Sequence, residues 1–262
     1  MKTVKACVLK TAGTNCDQET VYAFRLAGAL TDLVNVKKLY DGKKSLEEYH
    51  IMAIPGGFSY GDDISAAILW ALELKYKIGR SVERFIDDGR LVIGICNGFQ
   101  VLVKAGLLPA FDGRMNRAAT LFFNDVGVYQ DRWVYLRKEA SICPFLNDVK
   151  ERLYLPVAHA EGKFFIDKEG LNKLEKNGQI VFRYVNEEGK LAGFPWNPNG
   201  STGNIAGICN PEGNVIGLMP HPERYLHKYM HPRWTCMKQL PEEGDGLAIF
   251  RGMVRYVRER MS

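Results

Sequence analysis

The stretch Leu91–Gln100, Leu-Val-Ile-Gly-Ile-Cys-Asn-Gly-Phe-Gln, runs a short apolar segment directly into the helical pattern Phe99–Leu107. A junction this abrupt predicts a sharp strand-to-helix elbow, which puts its central residue, Cys96, at the tip of a strand in an α/β sheet. Hydrolases of the G-x-S-x-G type carry serine at that point. Glycine at 94 and 98 has a steric reason, because Cβ atoms there would obstruct the close backbone approach that the elbow requires. The helix that follows aims its free N–H groups and the positive end of its dipole at the sulfur, which favours negative charge there. Cysteine is also among the most buried residue types, so simple packing is the competing reading. Flanking glycines are more than packing asks for.

The rest of the first half fits such a sheet. Val4–Leu9 reads as a strand, Cys16–Ala29 as a helix, Asp32–Val36 and Ile51–Ile54 as strands, and Ile64–Asp87 as largely helical. Strands alternating with helices predict a doubly wound, flavodoxin-like α/β fold with a mostly parallel sheet. Ligands collect beyond the carboxyl ends of such strands. Three loops follow strand ends, Thr11–Asp17, Pro55–Asp63 and Cys96–Gly98, and should line one crevice.

From about Ala118 the character shifts to additional β-strands: Val126–Tyr129, Trp133–Arg137, Leu153–Val157, Ile180–Val185, Ile205–Cys209 and Val215–Leu218. Asn210–Asn214 is turn chemistry joining the last two as a hairpin. An amphipathic helix, Leu247–Arg260, closes the chain. No repeat or linker divides the sequence, so one domain over 1–262 is expected.

A cysteine nucleophile needs a base and a group to orient it. His-x-Glu occurs twice, as His159-Ala160-Glu161 and as His221-Pro222-Glu223, and spacing does not choose between them. Pro222 stiffens the second pair. Pro55-Gly56-Gly57-Phe58-Ser59-Tyr60-Gly61-Asp62 lets backbone N–H groups turn toward a ligand. With the N–H of Asn97, one of them could hold an oxyanion. It is not a P-loop, and no G-x-x-x-x-G-K-[ST] occurs in the chain. Two rival sites compete. Cys16 also precedes a helix but lacks the flanking glycines and a strand immediately before it. His227, His231 and Cys236 have a metal-like spacing without a paired fourth ligand, and Pro232 interrupts any helix there.

The chain carries 46% hydrophobic and 25% charged residues at a net charge of +5, with its basic residues scattered. Its closest basic cluster, Arg251–Arg260, reads as the solvated face of an amphipathic helix, which argues against nucleic acid. No apolar run approaches the roughly 20 residues that span a bilayer. Nor does the start, Met1-Lys2-Thr3-Val4-Lys5, read as a signal peptide. The six cysteines (7, 16, 96, 143, 209 and 236) show no framework spacing. Reduced thiols and a cytoplasmic location are expected.

Taken together, Cys96 in its elbow, the Gly56-Gly57 loop and the late His-Pro-Glu resemble the class I (triad) glutamine amidotransferases. Further motifs sharpen the likeness: Gly13-Thr14-Asn15-Cys16-Asp17, Pro55–Asp62, His159-Ala160-Glu161-Gly162-Lys163-Phe164, Asn197-Pro198-Asn199-Gly200-Ser201 and Met219-Pro220-His221-Pro222-Glu223-Arg224. In order and wording these are similar to the glutaminase subunits of phosphoribosylformylglycinamidine (FGAM) synthases, over roughly residues 3–225. The resemblance implies Cys96 as nucleophile, with His221 and Glu223 completing the triad. It implies an oxyanion hole at the N–H groups of Gly57 and Asn97, and substrate contacts at Gln100, His159 and Gly162. It also implies glutamine as substrate and ammonia delivery to a large synthetase subunit, with a small accessory subunit in the complex. ATP and Mg would bind that synthetase, and this subunit would hold no cofactor or metal. Asn124–Tyr129 departs from the family wording, and Tyr225–Glu243 exceeds the expected tail and mixes Trp234, Met230 and Met237 with charges, as interface cores do. A stand-alone cysteine hydrolase of the same fold, or a non-catalytic regulatory subunit, are the alternative readings.

Overall fold

The computed structural model describes residues 3–239 and 241–261. Met1, Lys2, Leu240 and Ser262, which fall within the expected 1–262 unit (Leu240 also within 225–243), lie outside the described residues. A nine-stranded sheet organises the chain. Its strands are β1 (Lys5–Lys10), β2 (Leu30–Asn35), β3 (Ile51–Ile54), β4 (Leu91–Ile95), β6 (Gln130–Lys138), β7 (Arg152–His159), β9 (Ile180–Val185), β10 (Ile205–Cys209) and β11 (Val215–Leu218). A separate antiparallel pair is formed by β5 (Thr120–Phe122) and β8 (Lys163–Phe165).

The sheet order is β2-β1-β3-β4-β11-β10-β9-β6-β7. Its first five strands pair in parallel, with the flavodoxin-like order in which β1 is flanked by β2 and β3. Strands β3, β4 and β11 are buried at every position, as a parallel strand covered on both faces must be. From β11 onward the pairing is antiparallel, through the β10–β11 hairpin to β7 at the edge. Both characters expected from the sequence are thus joined in one sheet.

Six α-helices accompany it among the described residues: α1 (Asp17–Leu26), α2 (Val36–Tyr40), α3 (Ile68–Asp87), α4 (Asn97–Lys104), α5 (Lys168–Lys176) and α6 (Leu247–Met261). The chain moves one way across the sheet from β1 to β2 and the other way from β3 to β4. Right-handed crossovers then put α1 and α3 on opposite faces. Contacts agree, since α1 packs with α6, through Phe24 edge-on to Phe250, while α3 packs with α4. Trp70, Phe99 and Phe182 are among the largest fully buried side chains of the core.

Three sequence expectations need correction. Val126–Tyr129 is a turn, not a strand. Gly127 has φ +69° and its N–H donates to the Asn124 carbonyl at 2.9 Å, while the Asn124 amide reaches the Val128 carbonyl at 3.0 Å. Local Asn/Gly turn chemistry overrides the β-branched composition, and Val126, Val128 and Tyr129 are exposed. The second strand stops at Asn35, whose side chain accepts from Lys37 N–H and caps α2 at Val36. The long helix starts at Ile68 rather than Ile64, because Ile64 and Ala67 have positive φ. Helix α5, capped by Asp167 accepting from Gly170 N–H at 2.7 Å, had no counterpart in the sequence reading.

The described residues of the C-terminal extension, 225–239 and 241–243, run as short turns. Tyr225 and His231 pack on Trp133 and Tyr154 of β6 and β7, and His227 bridges back to Glu243. No helix among the described residues is long and apolar enough to cross a membrane.

The elbow depends on its glycines. A Cβ at Gly98 would lie 1.8 Å from the Ile54 carbonyl oxygen, and one at Gly94 would lie 2.6 Å from the Gly98 carbonyl oxygen. Both obstacles are backbone, so neither can turn aside. Gly98→Ala should cost about 3 kcal/mol or more of unfolding free energy. Chemical denaturation of the purified variant measures this, and a wild-type midpoint would contradict the packing described.

Candidate active site

Cys96 sits at the carboxyl end of β4, held by its N–H donating to the Leu218 carbonyl at 2.8 Å. Its backbone, at φ 50° and ψ −104°, occupies a region that L-residues rarely adopt. Strain of this kind persists only where the surroundings impose it, and it turns the side chain off the strand and over the first turn of α4. Cys96 is 5% exposed, and its thiol contacts the Ala158 carbonyl at 3.7 Å.

Strand β11 lies next to β4, and the chain leaving it brings His221 to the same place. His221 N–H donates to the Pro156 carbonyl at 2.8 Å. The imidazole Nδ1 is 2.6 Å from Glu223 Oε1, with both side chains buried. That bond fixes the ring with Nδ1–H toward the carboxylate and leaves Nε2, which has no hydrogen-bond partner among the described residues, on the other side. Burial opposes charge on His221. The Glu223 carboxylate and the neighbouring Cys96 outweigh it and raise the imidazole well above the usual histidine range. Gly56 explains how closely these groups fit. A Cβ there would lie 2.7 Å from His221 Cε1, 3.3 Å from Cys16 Sγ and 3.4 Å from Cys96 Cβ.

The loops after β1 and β3 are knitted together beside the thiol. Phe58 N–H donates to the Gly13 carbonyl, Tyr60 N–H to that of Ala12 and Cys16 N–H to that of Gly56. Gly57 has φ +144°, and a Cβ there would meet Asn15 N at 2.7 Å, so only glycine holds this conformation. Among the described residues, neither the Gly57 nor the Asn97 N–H donates to a backbone or side-chain acceptor. Asn97 is the first residue of α4. Its side chain ties the elbow to this loop, reaching Asp62 Oδ1 at 3.3 Å and Gln100 Oε1 at 3.0 Å.

The two His-x-Glu pairs differ in the fold. His221 and Glu223 bond each other. Glu161 instead turns away from His159, accepting from Ser65 Oγ and Ala66 N–H and facing Lys104 Nζ at 3.6 Å. His159 is buried between two amides, with Nδ1 3.2 Å from Asn124 Oδ1 and Nε2 3.4 Å from Asn199 Nδ2. Burial, then the positive charge of His221, pulls its pKa down to about 3. A neutral ring with both nitrogens engaged is a scaffold for the turn behind the site. Gly162 belongs to the same scaffold, since its N–H donates to Asn124 Oδ1 and its carbonyl accepts from Asn199. Gln100 is likewise engaged, donating to the Glu161 carbonyl at 2.6 Å.

Sequence reasoning passed over several neighbours. Lys104 is buried, with Nζ 2.6 Å from Ser65 Oγ and 2.5 Å from the Ala66 carbonyl. Burial lowers its pKa against the pull of Glu161. Asp62 is pushed up to about 6 by burial and by Glu161. A lysine on an otherwise apolar helix face was the available signal, because a buried charge must be paired. Asn124, within the stretch that departs from the family wording, organises the whole His159–Gly162 turn. The rival metal set is not brought together. His227 Nε2 meets Tyr22 Oη at 2.7 Å, His231 packs at a tilt against Trp133, and Cys236 is exposed. Cys16, the rival nucleophile, stands inside the site, 3.9 Å from His221 Nδ1.

Residues 3–257 match the CobB/CobQ-like glutamine amidotransferase domain. The chain is 45% identical over 261 residues to phosphoribosylformylglycinamidine synthase subunit PurQ of Dehalococcoides mccartyi, covering 99% of this chain and all of that protein. The chain belongs to the PurQ family of glutamine amidotransferases. PurQ of Archaeoglobus fulgidus is 42% identical over 271 residues, with 98% of each chain covered. Among solved structures, that of PurLQS from Thermotoga maritima contains a chain similar to this one with a TM-score of 0.75 and 29% identity. The match covers 98% of this chain and all of the other. The PurQ relatives therefore match the extension 225–243 as well as the sheet.

Proposed function

We propose that this chain is the glutaminase subunit of an FGAM synthase. It would hydrolyse glutamine through a cysteinyl thioester and supply ammonia to a partner synthetase in de novo purine synthesis. The observation that carries this reading is the buried His221–Glu223 pair beside Cys96 in a strained elbow, in a chain of the PurQ family.

Each step follows from the groups present. Cys96 attacks the side-chain amide carbon of glutamine, and the unengaged N–H groups of Gly57 and Asn97 stabilise the tetrahedral oxyanion. His221, charged and oriented by Glu223, gives its Nε2 proton to the departing ammonia. Water, deprotonated by the same nitrogen, then cleaves the glutamyl thioester and releases glutamate. Gln100 shapes the glutamine pocket from the end of the first turn of α4, and the His159–Gly162 turn supports its wall. ATP, Mg and the ribonucleotide bind the large synthetase subunit, and a small accessory subunit completes the complex. This subunit works without a cofactor, in the cytoplasm, as one domain. The extension 225–243 offers Tyr229, Trp234 and Met237 at the surface for assembly.

A glutamine-derived electrophile tests the assignment. It should modify Cys96 alone, as read by peptide mapping of the assembled complex. Label on Cys16 instead would move the nucleophile to the other thiol in the site.

A further inference from the structure

The reaction proposed above uses Cys96, His221 and Glu223 and leaves Cys16 idle. Yet Cys16 is 1% exposed and lies against the triad. Its Sγ is 3.9 Å from His221 Nδ1, and the ligand atoms of Cys16, His221 and Glu223 all fall within 4.8 Å of one another. Among the described residues this is the one cluster of three such side chains close enough to share a metal ion. A second, independent feature also points to a ligand. Among the described residues, the buried carboxylate oxygen Glu223 Oε2 has no hydrogen-bond donor, a costly arrangement that a cation would relieve.

We infer that Cys16, His221 and Glu223 form an inhibitory site for a thiophilic divalent cation of the zinc class. One thiolate, one imidazole and one carboxylate are zinc's ordinary donors, and a solvent molecule supplies the fourth position. The spacing fits. Zinc bonds of about 2.3 Å to sulfur and about 2.0 Å to nitrogen separate the two donors by roughly 3.5 Å in a tetrahedron, close to the 3.9 Å found. The Nδ1–Oε1 contact of 2.6 Å must open to roughly 3.3 Å, the tetrahedral separation of two donors each about 2.0 Å from zinc. The metal then takes the place of the proton between those atoms, and a carboxylate binding through both oxygens brings Oε2 onto it as well. That proton, with any on the sulfur, leaves to solvent. Arg224, donating to Cys16 Sγ at 3.1 Å, holds the sulfur in position but adds positive charge. The site therefore needs both anionic donors to retain a dication. Occupation takes the imidazole and carboxylate out of the reaction, so inhibition rests on the proposed roles of His221 and Glu223. Binding itself does not.

The test uses the full chain carrying Cys236→Ser, which removes the exposed thiol, titrated with Co(II) and then with Zn(II). The parent should show a thiolate-to-cobalt charge-transfer band that zinc displaces. Cys16→Ala should lose the band and weaken zinc binding by about 100-fold or more, and Cys96→Ser should keep the band. Should Cys16→Ala misfold by circular dichroism, Cys16→Ser serves the same purpose, since a hydroxyl is a poor ligand for a soft metal. A band and zinc affinity unchanged in a folded Cys16 variant would overturn the site. Because these readouts need no turnover, they hold or fail independently of the glutaminase reading. In the complex, zinc should inhibit glutamine-dependent activity reversibly, with chelator restoring it. The Cys16 variant should need about 100-fold more zinc for half-inhibition, relative to its own uninhibited rate.

Discussion

His221→Ala should slow acylation of the chain by glutamine by roughly 10²–10⁴-fold, the usual worth of a positioned acid or base. The ring is held by Glu223 at 2.6 Å, and its charge is maintained by that carboxylate and by Cys96. Alanine removes the group proposed to protonate departing ammonia without removing the thiol or the N–H groups of Gly57 and Asn97. His159→Ala should behave differently although it sits in the same three-residue pattern. Its loss strands the Asn124 and Asn199 side chains in a buried turn, at a cost of about 1–3 kcal/mol of stability, and loosens the wall behind glutamine. The expected result is a lower denaturation midpoint and a raised KM, with acylation largely retained at saturating glutamine. Rapid-quench measurement of the acyl-enzyme separates the two. A normal acylation rate in His221→Ala would hand the catalytic role to the other pair.

That contrast also marks where reading the sequence stopped. Local patterns were readable because local physics sets them. The apolar run Leu91–Ile95, the glycines around Cys96 and the Asn210–Asn214 hairpin all lie within a few residues of the feature they encode, and the observed strand bounds agree. The choice between His159 and His221 was not local. It depends on which carboxylate folds back on its own histidine, and Glu161 is diverted by Lys104, Ser65 and Ala66 from distant parts of the chain. Family resemblance supplied that choice before geometry did. Cys16 shows the same limit more sharply. By sequence it was a weaker nucleophile candidate, and nothing nearby says that Arg224, 208 residues away, would donate to its sulfur. The misread strand Val126–Tyr129 arose where β-forming residues lie exposed around a turn that Asn124 and Gly127 dictate.

The central claim is a division of labour, in which this chain makes ammonia and its partner uses it. Cys96→Ser tests that division most directly. The serine hydroxyl is smaller than the thiol and fits the space it leaves, so the elbow, the neighbouring Gly56 and the assembly surface should survive the change. A serine hydroxyl, however, is a far weaker nucleophile than a thiolate in this site. Reconstituted with the synthetase, the variant should show no glutamine-dependent FGAM formation. Added ammonium salt at raised pH should restore product to the wild-type ammonia-dependent rate, because the partner's chemistry does not involve the thiol. An assembled Cys96→Ser complex that fails with ammonia as well as with glutamine would contradict the account.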